Sequence, residues 1–125
     1  MMDRATIRRE ILAAILLPAL MLAVGCHSYH VETTVDNRTG ATVQLLEVDY
    51  PSASFGADSL AAGAVLHYSI QIQGSGSLKV QFTDGGGRLE QISGPTLSEH
   101  QQGSLQIVLL PGGKAEFHPQ LTPGH

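Results

Sequence analysis

The chain has 125 residues, a formal net charge of −4 with the histidines neutral, one cysteine and no tryptophan. Nucleic-acid binding requires clustered Lys and Arg, so an acidic chain with only seven basic side chains excludes that class of partner. The length allows one small domain after an N-terminal targeting segment.

The start of the chain has the pattern of an export signal. Residues 1–10 carry three arginines against two carboxylates, and residues 11–24 contain no charged side chain. Small residues, Ala23 and Gly25, stand where a signal peptidase would cut. A membrane-spanning helix needs about 20 apolar residues. This stretch is shorter and is interrupted by Pro18, so we expect a signal helix that is cleaved off.

A cysteine follows directly after this segment. The run Leu22-Ala23-Val24-Gly25-Cys26 resembles the lipobox of bacterial lipoproteins. The resemblance implies cleavage after residues 1–25, lipidation of the Cys26 thiol with acyl chains such as palmitate, and acylation of the new amino terminus. An odd cysteine in a secreted domain needs an explanation, and lipidation supplies one. A plain secretory signal is the alternative, because the same small residues also fit ordinary cleavage.

The predicted tether, residues 26–30, is short. An extended chain covers at most ~3.3–3.6 Å per residue, so the domain stays within roughly 17 Å of the lipid. In the lipoprotein family an aspartate after the lipidated cysteine favours retention in the inner membrane. His27 occupies that position here, so the resemblance implies the outer membrane, facing the periplasm, over the inner membrane. Attachment must come from the lipid, because residues 26–125 keep four basic and nine acidic side chains.

Beyond the tether the chain has the pattern of an all-β domain. Short runs of alternating apolar and polar residues are separated by Gly, Pro, Asn and Asp. We expect residues 50–56 to form a loop in which Phe55 caps the core, and residues 94–103 to form a surface crossover between sheets. Seven strands are predicted, at residues 29–36, 42–50, 65–73, 78–83, 88–93, 104–110 and 114–118.

The side-chain pattern predicts which faces are buried. Residues 65–73 alternate most clearly, with Ile70 inward and Gln71 outward. In residues 42–50 the apolar phase shifts between Leu45 and Leu46, which predicts a bulge or a strand buried on both faces. The predicted core consists of Val31, Val35, Val43, Leu45, Leu66, Tyr68, Ile70, Ile72, Val80, Phe82, Ile107, Leu109 and Phe117.

Seven strands in about ninety residues favour an antiparallel Ig-like β-sandwich, and a small barrel is the alternative. Glycine-rich turns between the runs agree with tight hairpins. Two turn segments are similar to the N-x-T-G and L-x-x-G turns of bacterial Ig-like domains, namely Asp36-Asn37-Arg38-Thr39-Gly40 and Leu60-Ala61-Ala62-Gly63. This resemblance implies a fold and no activity.

Candidate ligand groups are few. Glu47 and Asp49 share a strand face at roughly 7 Å from each other. That arrangement suits a cation or an acid/base pair, but the solvated face of a strand explains it too and is our prediction. The six histidines lack the spacing of a helical metal site, and a folded pair such as His67 with His118 stays open. We predict no catalytic residue, cofactor or metal ligand, and lipidation of Cys26 alone.

These features predict a sandwich domain at residues 31–119, followed by a flexible tail at 120–125. The expected function is that of a membrane-anchored, non-enzymatic binding or structural module whose partner is an envelope protein or polymer. The alternative is a periplasmic accessory protein that binds a small ligand or metal through its histidines and acidic strand face.

Overall fold

The computed structural model describes residues 29–124. The predicted signal segment and Cys26 lie outside this range. The described chain is all-β, with eight strands and no helix, so it contains no helix that could cross a membrane. The strands are β1 (Val31–Asn37), β2 (Val43–Tyr50), β3 (Ala53–Leu60), β4 (Val65–Ile70), β5 (Gly76–Thr83), β6 (Leu89–Leu97), β7 (Gln102–Leu110) and β8 (Lys114–Thr122).

The strands form two four-stranded sheets packed as a sandwich. Their strand orders are β4-β1-β7-β8 and β3-β2-β5-β6. All neighbouring strands are antiparallel except β1 and β7, which run parallel from Val31↔Gly103 to Asn37↔Leu109. The prediction of an antiparallel β-sandwich is confirmed apart from this one parallel pair, and the strands number eight rather than seven. Strands β1 and β7 both begin at the same end of the sheet, so they run in the same direction.

The eighth strand, β3, lies where a loop was predicted for residues 50–56. Of its eight residues only Phe55 and Leu60 are buried. Because β3 is an edge strand with little apolar surface to bury, the period-2 signal is missing from its sequence. Phe55 nevertheless packs into the core, as predicted.

The predicted crossover at residues 94–103 is also wrong in extent, because β6 and β7 leave only residues 98–101 between them. Gly94 and Pro95 suggest a loop, but β6 is an edge strand, where proline is tolerated. The other proline inside a strand, Pro119, lies on edge strand β8, which continues to Thr122, three residues into the predicted tail. The edge strands on the opposite side, β3 and β4, contain no proline.

The core fills the space between the sheets. Most of the predicted core residues are buried in the core or pack against the buried cluster. The two exceptions, Leu45 and Tyr68, are exposed. Tyr68 lies on edge strand β4, at the seam between the sheets, where one side of the strand stays open to solvent. Seven further core residues were absent from the predicted set: Leu46, Val48, Phe55, Leu60, Leu78, Leu97 and Leu105.

The predicted bulge in β2 is confirmed. Between Gln44 and Glu47, three steps along β2 face two steps along β5. Leu45 takes up the extra residue with φ of 51°, and its side chain is 66% exposed. Gly56 lies opposite, where a Cβ would overlap the carbonyl oxygen of Leu46, so the bulge requires glycine on β3.

Candidate functional site

The sandwich has two unlike ends. Val31 pairs with Ile70 and lies beside Gly103, so the chain enters at the end where β4 finishes and β7 begins. Tyr29 stacks on His100 there, with ring centroids 5.3 Å apart. We call this the anchor end, formed by residues 29–30, 51–52, 71–75, 98–101 and 123–124. The opposite turns, at 38–42, 61–64, 84–88 and 111–113, form the far end.

The anchor end carries very little charge. Among its described connecting residues Glu99 is the only Asp, Glu, Lys or Arg. Glu99 lies 3.7 Å from the His100 imidazole, and both side chains are exposed. The far-end turns, by comparison, contain Arg38, Asp84 and Arg88. The connecting residues of the anchor end are therefore mostly uncharged, and Glu99 carries the one formal charge among those described.

All three tyrosines of the chain lie at or near the anchor end. Tyr50 is the last residue of β2, and Tyr68 stands two residues before the end of β4. Tyr68 stacks face to face on Phe55, with centroids 4.7 Å apart and planes 4° apart. The Tyr50 ring is tilted against Phe55, with centroids 6.4 Å apart. Burial raises the pKa of Tyr50, with a further contribution from Tyr68, so its phenol is neutral in the physiological range.

A shallow groove of ≈ 360 Å³ opens beside this aromatic row. The Ser52 hydroxyl donates to the Gln71 carbonyl at 3.1 Å and accepts from the Gln73 amide at 3.3 Å. These bonds tie the β2–β3 turn to the connection after β4. The groove is lined by His30, Tyr50, Ser52, Tyr68, Gln71 and Gln73, among others.

The acidic pair lies on the outer face of the other sheet, as predicted. Asp49 is opposite Lys79 in the register with β5, and Glu47 is opposite Gln81. A hydrogen bond shared with Asp49, and repulsion from its charge, raise the pKa of Glu47. In the described residues no three His, Cys, Asp or Glu side chains are grouped so that they could hold a metal ion. The geometry is that of a solvated strand face.

The histidines are dispersed. His67 and His118 lie on β4 and β8, the opposite edges of one sheet. With about 4.8 Å between adjacent strands, three strand steps put them roughly 14 Å apart. They cannot share one ion, so this pairing is wrong. His118 instead lies 3.3 Å from Glu116 on its own strand.

The turn motif at Asn37 is structural. Its fully buried amide donates to the carbonyl oxygens of Ala41 (2.8 Å), Leu60 (2.9 Å) and Ala61 (3.2 Å). Its side-chain oxygen accepts from the Thr39 amide and hydroxyl. The two segments that resemble Ig-like turns are thus held together by one side chain.

Sequence reasoning missed two surface features. One is Leu45, which was assigned to the core. The other is the gathering of the tyrosines at one end, which the sequence shows only after the strand pairing is known. Cys26, the predicted lipidation site, lies outside the described residues.

We expect Leu45→Gly to raise the free energy of unfolding by about 1 kcal/mol, because a non-glycine residue at positive φ costs about that much and the exposed leucine packs on little. Urea unfolding of the purified chain measures it. Gln44→Gly, next to the bulge but not at positive φ, is the control and should be destabilising. A loss of stability in Leu45→Gly would show that the leucine contributes packing.

The described chain is an all-β sandwich domain with a weakly charged, tyrosine-bearing end. Comparisons with protein-family models and with curated proteins find no match. Among solved structures it is similar to the "NMR structure of the protein from Eubacterium rectale", with a TM-score of 0.57 and 11% sequence identity. The match covers 77% of this chain and 95% of that one. At this identity the likeness shows the fold alone.

Proposed function

We propose that the chain is a membrane-anchored envelope lipoprotein whose Ig-like β-sandwich is a non-enzymatic binding or structural module. The observation that carries the proposal is the placement of Tyr29 at the anchor end, only three residues after Cys26 in the sequence. The end nearest the proposed lipid carries one formal charge in its connecting residues, Glu99. An end with a single carboxylate is only weakly repelled by anionic head groups.

In this proposal the two ends of the sandwich have different roles: one faces the membrane and the other faces a partner. With the anchor end at the outer membrane, the far end points into the periplasm, towards an envelope protein or polymer. Two exposed leucines lie in that half of the β3-β2-β5-β6 sheet: Leu89 pairs with Thr83, and Thr83 pairs with Gln44, the neighbour of Leu45. Binding of a partner over these two side chains would remove apolar surface from water, which favours association. We propose that the partner binds there.

Cys26→Ala tests the anchor. Wild-type protein should incorporate labelled palmitate and fractionate with the outer membrane, because a lipidated cysteine needs no spanning helix to hold the domain. The variant should lose the label and leave the membrane fraction. His27→Ala is the matched control, since it alters the neighbouring residue and leaves the thiol. A wild type that is membrane-bound without label would contradict the lipoprotein function.

A further inference from the structure

We propose that the anchor end is a bilayer-docking surface, on which Tyr29, Tyr50 and Tyr68 lie at the level of the lipid head groups. The inference rests on the proposed lipid anchor and adds to it. A lipid alone would leave the domain free to swing. A docking surface holds the anchor end of the domain against the membrane, with the far end directed outward.

The tyrosines are unevenly distributed over the domain. The tyrosine ring is apolar and its hydroxyl polar, so tyrosine is enriched where hydrocarbon meets water. The chain has no tryptophan. All three of its tyrosines lie at or near the anchor end, where the chain enters β1 at Val31. Tyr50 and Tyr68 lie on the β3–β4 side of this end, and Tyr29 lies towards His100 and the last strand. The three rings therefore span the end.

The most exposed of these rings is already oriented by its neighbour. One face of Tyr68 is stacked on Phe55, which is only 6% exposed, while Tyr68 itself is 47% exposed. The buried ring fixes the plane of the outer one and leaves its other face to the surroundings. Contact with head groups then costs little further ordering of the side chain.

The connecting residues of the anchor end carry little charge. Juxtamembrane Lys and Arg add about 1 kcal/mol each to binding of anionic lipid, and the connecting residues of the anchor end contain neither. Their one carboxylate, Glu99, gives little repulsion. Docking should therefore depend on the aromatic and uncharged polar side chains, and should change little between zwitterionic and anionic membranes.

The short tether limits the distance between the anchor end and the bilayer. His27 and Ser28 alone separate Cys26 from Tyr29 in the sequence. Three residue steps cover at most roughly 11 Å when fully extended. The head-group layer on each side of the hydrocarbon core is about 5–8 Å thick. A lipidated Cys26 at the hydrocarbon boundary thus leaves the anchor end in or just above that layer.

The test places one fluorescent reporter at each end. Tyr68→Trp and Leu89→Trp each give a chain with a single tryptophan, near the anchor end and in the far half respectively. Each full lipidated protein is reconstituted in phosphatidylcholine vesicles that carry a spin-labelled head group, with and without phosphatidylglycerol. We expect Tyr68→Trp to lose most of its emission in both vesicle types and Leu89→Trp to keep most of its emission. Equal quenching of the two would overturn the docking.

Added charge gives a second readout. Gln71→Glu with Gln73→Glu, on the Tyr68→Trp background, puts two carboxylates at the anchor end on exposed side chains. In the vesicles with phosphatidylglycerol, where the added carboxylates are repelled by the anionic head groups, this pair should restore most of the lost emission, whereas Gln44→Glu with Gln91→Glu should restore none. Identical effects of the two pairs would contradict docking by this end. Vesicle flotation separates the two proposals: no flotation refutes the lipid anchor, and flotation with equal quenching refutes the docking alone.

Discussion

Asn37→Ala is expected to lower the free energy of unfolding by about 3 kcal/mol, because several buried polar groups would lose their partners at once. The carbonyl oxygens of Ala41, Leu60 and Ala61 all accept from the Asn37 amide. The described chain has no buried side-chain polar atom without a partner, so this junction is fully satisfied in the native state. Urea unfolding of the purified chain measures the loss.

Two neighbours in the same turn serve as controls. Arg38→Ala removes a 2.9 Å ion pair with Asp36, but the arginine is well exposed and the cost should be below about 1 kcal/mol. Thr39→Ser keeps the hydroxyl that donates to Asn37 and should also be mild. Asn37→Asp should be at least as damaging as alanine, because a carboxylate would face three carbonyl oxygens. Three equally small effects at Asn37, Arg38 and Thr39 would show that the junction does not hold the fold.

Ile70→Asp is the second substitution with a large expected effect. Ile70 is almost fully buried at the end of β4, and an unpaired carboxylate there should cost several kcal/mol, enough to unfold most of the chain. Gln71→Asp, one residue later on an exposed side chain, should be tolerated. Its carbonyl oxygen still accepts from the Ser52 hydroxyl after the substitution. Circular dichroism of the two proteins shows the difference.

Ile70→Ala extends this test to a protein that stays folded. Removing the buried side chain without adding charge should lower the free energy of unfolding by about 2–5 kcal/mol. If aspartate at positions 70 and 71 were equally harmless, the assignment of the inward face of β4 would be refuted. If aspartate at 71 were as damaging as at 70, Gln71 would have to be buried too.

The sequence was informative where burial and turn chemistry act locally. The alternation after Val65 placed Ile70 and Ile72 in the core, and the phase shift at Leu45 placed the bulge. The two turn segments were recognised by their residues, and the structure shows the bond that connects them, through Asn37.

The features of the fold that the sequence did not predict depend on tertiary contacts. Edge strand β3 buries only Phe55 and Leu60, so its sequence had no period to detect. The parallel pairing of β1 with β7 joins residues about seventy positions apart in the chain, and no local signal specifies such a partner. Tyr68 alternates as an inward residue should, yet lies at an open seam between the sheets.

For the candidate site, the sequence predicts an anchor residue, Cys26, and a short tether, but it does not predict the surface beside them. Tyr29, Tyr50 and Tyr68 are scattered along the chain, and only the strand register shows that they share one end. The acidic pair was placed on its correct face because strand periodicity is local. The pairing of His67 with His118 failed because the order of strands within a sheet is set by contacts between distant segments, which no local pattern shows.

The position of β1 also determines how the domain carries mechanical load. β1 is an interior strand, held by six register pairs to β4 and seven to β7. A pull on the chain before Val31, opposed by a load at the far end, acts along β1 and stretches both ladders in shear. The bonds then resist together, whereas an edge strand pulled sideways gives up its bonds one after another. The strand next to the proposed lipid is therefore the one that tension detaches least easily, and survival under force depends on the rate of unfolding.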